Sequence, residues 1–144
     1  MATPMSVSIV SAEEEVWRGV AEMVVARSPE GEFAILHGHI PFLAALVPGR
    51  VSIVSDNERA DFFVAGGFLE ASRSASDEEG HDYHVIVLAD DAEDLSQIDA
   101  SEARRRLEEA QAEAAGDSDE RAEARMRVEM ARVELAESGR GSQS

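Results

Sequence analysis

The chain has 144 residues, enough for one domain of ordinary size and a small appendage. It contains no cysteine, which excludes disulfides, thiolate metal sites and cysteine nucleophiles. The formal net charge of -17, with all 13 basic residues arginine, repels phosphate backbones and argues against nucleic-acid binding.

Met1 to Ser6 lacks a basic stretch followed by an apolar run, so no signal peptide is expected. No apolar run approaches the roughly 20 residues that span a bilayer, so membrane association is expected through a protein partner and not by direct insertion. Ser6-Val7-Ser8-Ile9 alternates polar and apolar, as a half-buried strand does. Met23-Val24-Val25-Ala26 is continuously apolar and suits a strand covered on both faces. Arg50 to Val54 alternates again, and Asp61 to Ala65 and His84 to Leu88 are rich in branched and aromatic residues. Turn chemistry separates these runs at Pro29-Glu30-Gly31, Pro48-Gly49, Asp56-Asn57 and Gly66-Gly67. Short strands at close spacing, with no helical pattern between them, predict an antiparallel β-sandwich over residues 1–89. Ser72 to Asp82 reads as a long exposed hairpin loop, and residues 90–97 as a linker.

From residue 98 the period changes. Ala100, Ala103, Leu107, Ala110 and Ala114 fall on one helix face, with Asp99 as N-cap and Glu102 completing a capping-box pattern. Gly116 is read as the helix stop and Asp117 as the cap of a second helix, whose apolar face is Ala124, Val128, Ala131 and Leu135. The short connection requires antiparallel neighbours, so residues 98–137 form a helical hairpin and 138–144 a disordered tail. The fold class is therefore α+β. Residues 1–98 hold 18 acidic and 5 basic side chains against 12 and 7 in 99–137, so the two parts differ in surface character. Because the hairpin seam is mostly alanine, it buries little apolar area, and weak docking on the sandwich is expected.

Catalytic constellations are poor. His37, His39, His81 and His84 lack metal-ligand spacing, and a small metal-dependent enzyme built on them is the remote alternative. Residues 77–94 contain 8 acidic and no basic side chains without a calcium-loop pattern, and read as solvated loop and linker. Gly-x-Ser-x-Gly and Walker sequences are lacking, so no catalytic residue is assigned. Arg121, Arg125 and Arg132 fall on one face of the second helix, which is either solvated or an interaction face for acidic partners.

The most specific stretch is Gly31-Glu32-Phe33-Ala34-Ile35-Leu36-His37-Gly38-His39-Ile40-Pro41-Phe42-Leu43. It resembles the Gly-x-x-Gly-Ile-x-x-Gly-His-x-Pro motif of the epsilon subunits of bacterial F-type ATP synthases. Leu46, Pro48, Gly49, Val51, the Gly66-Gly67-Phe68-Leu69-Glu70 element and Val85 to Asp90 continue the resemblance in order. It departs where Ala34 replaces a glycine, where His37 stands for a common proline, and in the long Ser72–Asp82 loop.

The resemblance implies a sandwich of about ten strands followed by a helical hairpin. It implies a non-catalytic rotor subunit in the central stalk of a proton-translocating ATP synthase, peripheral to the cytoplasmic face of the bacterial plasma membrane. The sandwich would bind the gamma subunit and the c-ring through Gly31, Glu32, His39 and Pro41. The hairpin, through Arg121, Arg125 and Arg132, would reach the alpha and beta subunits when extended and inhibit ATP hydrolysis. Physically, Gly31 and Gly38 permit positive φ and Pro41 stiffens the exit, so a rigid exposed loop presenting Glu32 and His39 is expected. Some relatives bind ATP on the hairpin through an Ile/Leu-Asp-x-x-Arg-Ala pattern. Here Asp99 and Ala103 fit and Arg104 lies adjacent, but Glu102 occupies the arginine position and repels phosphate, so no cofactor is expected. A generic acidic adaptor with other partners is the main alternative.

Overall fold

The computed structural model describes residues 3–56, 58–117 and 119–141, with side chains of the last helix described as far as Ser138. Ten strands precede two helices: β1 (Met5–Val10), β2 (Glu15–Ala21), β3 (Met23–Ser28), β4 (Gly31–Leu36), β5 (Phe42–Leu46), β6 (Gly49–Ser55), β7 (Glu58–Val64), β8 (Gly67–Arg73), β9 (Tyr83–Ala89), β10 (Ala92–Asp94), α1 (Ala100–Gly116) and α2 (Glu120–Gly141). One sheet has the order β2-β1-β9-β8-β5 and the other β10-β7-β6-β3-β4. The sandwich and the following helix pair are those the sequence predicts. Pairing is antiparallel except between β1 and β9, which run parallel because β1 lies between its hairpin partner and a strand reached some seventy residues later.

Period-two alternation builds the core. Met5, Val7 and Ile9 of β1, Val85 and Val87 of β9, and Leu69 and Ala71 of β8 point inward, where they meet Val24, Ile35, Val51, Ile53, Phe62 and Val64 of the other sheet. Each large side chain buried this way contributes about 1.5–3 kcal/mol relative to exposure.

Three boundaries differ from expectation. β10 lies inside the presumed linker and pairs with β7 through Ala92↔Val64, Glu93↔Phe63 and Asp94↔Phe62. Its residues lack strand propensity; β7's free edge supplies the pairing instead. A 3-10 turn, Leu95–Gln97, capped by Asp94, then leads to α1. Second, α2 is capped by Asp119, whose carboxylate accepts from the Ala122 amide at 2.8 Å, rather than by Asp117. Asp117 instead ends α1, donating its amide to the Glu113 carbonyl, and Gly116 is the last residue of α1 without positive φ. Third, α2 continues to Gly141, past the expected end at 137; residues 142–144 of the expected tail lie outside the described residues.

The apolar face expected on α2 is also displaced. Ala122, Glu129, Arg132 and Ala136 are buried, whereas Ala124 is exposed. Arg125 pairs with Glu113, and Glu137 with Arg104, so the flank between them faces α1. Val128, Ala131 and Leu135 are half-buried about a third of a turn away. Of these, Ala131 and Leu135 line a groove against β3 and β6. α2 thus carries two apolar stripes, one per neighbour, and sequence periodicity alone identified only the second. On α1, Ala100, Ala103 and Ala110 are buried as expected, and the Asp99 carboxylate accepts from the Ser101 amide at 2.9 Å.

Candidate functional site

The residues singled out in sequence fall into three places. Gly31 and Glu32 begin β4, whereas His39 and Pro41 follow its end. A six-residue strand, on the order of 17 Å, separates them, so they do not form one loop. Gly31 and Gly38 do adopt positive φ, at 128° and 89°, which admits the two turns. Glu32 is exposed and lies opposite Arg27 across the β3–β4 pair.

The turn between β4 and β5 is held from below. The buried Tyr83 hydroxyl donates to the His39 carbonyl at 2.6 Å, and burial pushes that phenol's pKa up. His37 lies 2.9 Å from the Asp82 carboxylate, which also accepts from Arg73. The hydrogen bond to His37 holds Asp82 below the usual carboxylate range. His39 packs edge-on against Phe42 at 5.5 Å. These anchors tie the turn to the start of β9 and leave Ile40 and Pro41 exposed at its crest. The Ser74–Asp82 loop is closed by the Ser74 amide donating to the Asp82 carbonyl, and the Asp77 carboxylate accepts from the amides of Glu79 and His81. The amide of His81 lowers the Asp77 pKa. His37 and His81 thus face carboxylates and His39 the Ile40 carbonyl and the Phe42 ring, whereas the buried Nε2 of His84 has no partner among the described residues. No cluster with metal-holding geometry occurs among the described residues.

Beside this turn lies a surface that sequence reading missed. On the outer face of the first sheet, Phe68 stands opposite Ala45 on one side and Leu88 on the other, and Leu88 opposite Val10. Phe68 and Leu88 are each 52% exposed, Leu43 67% and Ile40 74%. The signal was present as paired apolar neighbours, Phe68-Leu69 and Val87-Leu88: in a strand one of each pair must face outward. A row of large apolar side chains on an open sheet face marks a contact surface.

The outer face of the other sheet is covered by the hairpin. Phe63 of β7 is fully buried yet stands outside the inter-sheet core. Above it sits Arg132 of α2, 4% exposed, its guanidinium 4.7 Å from the ring centroid. Arg132 hydrogen-bonds Glu93 of β10 and lies 3.9 Å from Asp91 and 3.4 Å from the buried Glu129. The three arginines predicted as one face therefore have different fates. Arg132 latches α2 to the sandwich, Arg125 ties α2 to Glu113 and Glu109 of α1, and Arg121 is exposed. At the start of α1, Asp99 is occupied as a cap, Ala103 is buried, and Arg104 pairs with Glu137. Glu102 pairs with Arg105 and Arg106, which holds its pKa low.

Among known proteins, a family model described as "ATP synthase, Delta/Epsilon chain, beta-sandwich domain" matches residues 4–95. That places the chain among the subunits that carry this sandwich domain. The ATP synthase epsilon chain of Hydrogenovibrio crunogenus is 40% identical over 140 residues, covering 95% of this chain and 85% of the relative. That of Streptomyces avermitilis is 38% identical over 133 residues, covering 92% and 100%. A chain in the mitochondrial ATP synthase of Euglena gracilis, solved with OSCP, F1 and c-ring, shares the fold with a TM-score of 0.68 at 21% identity, over 94% of this chain and 80% of that one. The chain belongs to the ATP synthase epsilon chain family, and it is a non-catalytic subunit. No helix among the described residues is long and apolar enough to cross a membrane.

Proposed function

We propose that this chain is a rotor subunit of the central stalk, joining gamma to the c-ring at the cytoplasmic face of the bacterial membrane. Its sandwich is the permanent contact and its hairpin the regulatory one. The observation that carries this reading is the asymmetry of the sandwich: one outer face lies open with Leu43, Phe68 and Leu88, while the other is closed by a hairpin. A stiff two-sheet body with an apolar face can transmit torque without a pocket. The anchored turn at His39 and Pro41 adds a shaped edge beside that face. Gly31 and Glu32 belong to a second contact at the far end of β4.

The hairpin acts by exchanging partners. Docked, Arg132 and Arg125 are neutralised by carboxylates of this same chain. Extended, they meet acidic segments of the alpha and beta subunits and slow ATP hydrolysis. ATP is not part of this reading, because Glu102 and the engaged Arg104 leave no cationic site at Asp99 and Ala103.

Binding of the purified chain to gamma and to the c-ring tests the sandwich role. Phe68→Glu should abolish gamma capture while the strands stay folded; unchanged capture would refute the assigned face, and no capture by the unaltered chain would favour an adaptor with other partners. Hydrolysis by the reconstituted complex tests the hairpin role. Removing residues 99–144 should raise the rate, and no rise would remove inhibition while leaving coupling intact.

A further inference from the structure

Between α2 and the covered sheet lies a cavity of about 620 Å³. Its walls include Val25 of β3, Val47 before β6, and Ala131 and Leu135 of α2. Arg27, Arg50 and Arg59 reach it from three strands of one sheet. For a chain with formal charge -17, three guanidinium groups in one cavity run against the composition.

Their states differ. Arg59 is engaged, with Nε donating to Asp61 at 3.0 Å and Nη2 donating to Ser52. Arg27 and Arg50 form no ion pair among the described residues, and the Arg50 Nε–H is buried without an acceptor. Only this Nε is closed off from the cavity; the Arg50 Nη groups, which form no hydrogen bond among the described residues, are the charged donors left for an acceptor. The exposed Glu32 and Glu134 also line the cavity and oppose any ligand with several negative charges.

From these features we propose that the cavity is a binding site for a small organic monoanion. A carboxylate-type head meets Arg50, with Arg27 as the second cation, and an apolar body lies on Val25, Val47 and Leu135. A guanidinium fork pairs a carboxylate through charge-assisted hydrogen bonds, and the apolar walls supply the rest of the affinity. This site shares no residue with Asp99, Ala103 and Arg104, and it goes beyond the stalk role proposed above. Because its walls come from both α2 and the sandwich, an occupant binds only the docked hairpin and stabilises it by mass action.

The test is an NMR titration of the nitrogen-15-labelled full chain, reading backbone amides and the Arg50 Nε–H signal. The probes are octanoate, 1-octanol as body without head, and inorganic phosphate as head without body. Octanoate should shift the Arg50 Nε–H and the amides of residues 47–52 and 135 saturably, with both controls weaker by about tenfold or more. Arg50→Gln should raise the octanoate dissociation constant by about tenfold. If that variant loses its folded spectrum, Arg27→Gln, altering an exposed side chain, should weaken binding about threefold, and unchanged affinity would overturn the site. An Arg50 Nε–H signal unmoved to about 10 mM octanoate would also overturn it, as would phosphate binding as tightly as octanoate or shifts confined to Phe68 and Leu88.

Discussion

The sandwich and the hairpin are held by different chemistry. Between the sheets, Val7, Ile9, Ile35, Leu69, Val85 and Val87 are fully buried, and large branched side chains interlock. In the hairpin, the buried apolar residues are Ala100, Ala103, Ala110, Ala122 and Ala136, flanked by exposed arginine–glutamate pairs. Hairpin and sandwich meet through the buried Arg132 over Phe63, through its ion pairs with Glu93 and Asp91, and along α2 where it runs beside β6. Hydrophobic packing is forfeited outright when a sheet opens. Ion pairs can be re-formed with another partner's carboxylates, which is why the proposed role makes the sandwich the permanent part and the hairpin the exchangeable one. Burial of Arg132 with Glu93 and Glu129 also makes the docked state more specific than an alanine seam alone allows.

The largest effect that would sharpen this contrast is in the sandwich core. Leu69→Ala leaves a cavity between the sheets and should cost about 2–5 kcal/mol in denaturant unfolding, for the sandwich as a whole. Next comes Arg132→Ala. Its loss leaves the buried Glu129 carboxylate uncompensated, while Glu93 and Asp91 stay partly solvated, so the cost should be about 1–3 kcal/mol and fall on hairpin docking alone. Faster trypsin cleavage near the start of α1 with an unchanged sandwich midpoint is the expected pattern; a drop in the midpoint would show that the hairpin is part of the rigid body. Smaller still, Asp119→Ala should destabilise α2 by about 1 kcal/mol through its lost cap, while Asp117→Ala should be close to neutral, as read by helical circular dichroism on heating.

The smallest effect is in the loop after β8. Asp77 and Asp82 have lowered pKa values, the first from its backbone hydrogen bond to His81 and the second from its hydrogen bond to His37. A depressed folded-state pKa gives stability that is full above the ordinary value of 3.8 and lost as pH falls through the folded value. Amide exchange in residues 74–82, corrected for intrinsic rate, should therefore accelerate in that acidic window before the strands respond.

How much of this was legible in the sequence follows from locality. Alternation placed Val7 and Ile9 in the core, the glycines at the β4 turns were recognisable, and Asp99 carried its capping signal. β10 was not legible, because Ala92-Glu93-Asp94 is a strand only by virtue of β7's open edge. The α2 face was ambiguous because two apolar stripes share one helix, and only the position of α1 and the sheet assigns them. Arg132 was visible as a face residue, but its burial over Phe63 depends on a contact between segments nearly seventy residues apart. The open row of Ala45, Phe68 and Leu88 likewise required strand register that no single segment encodes.

Native-state amide exchange on the unaltered chain tests the division of labour most directly. Amides of residues 100–136 should exchange through a shared opening of lower free energy than that of β1, β8 and β9, with the sheets still closed. Equal protection in helices and central strands, lost together in one global event, would contradict a detachable hairpin.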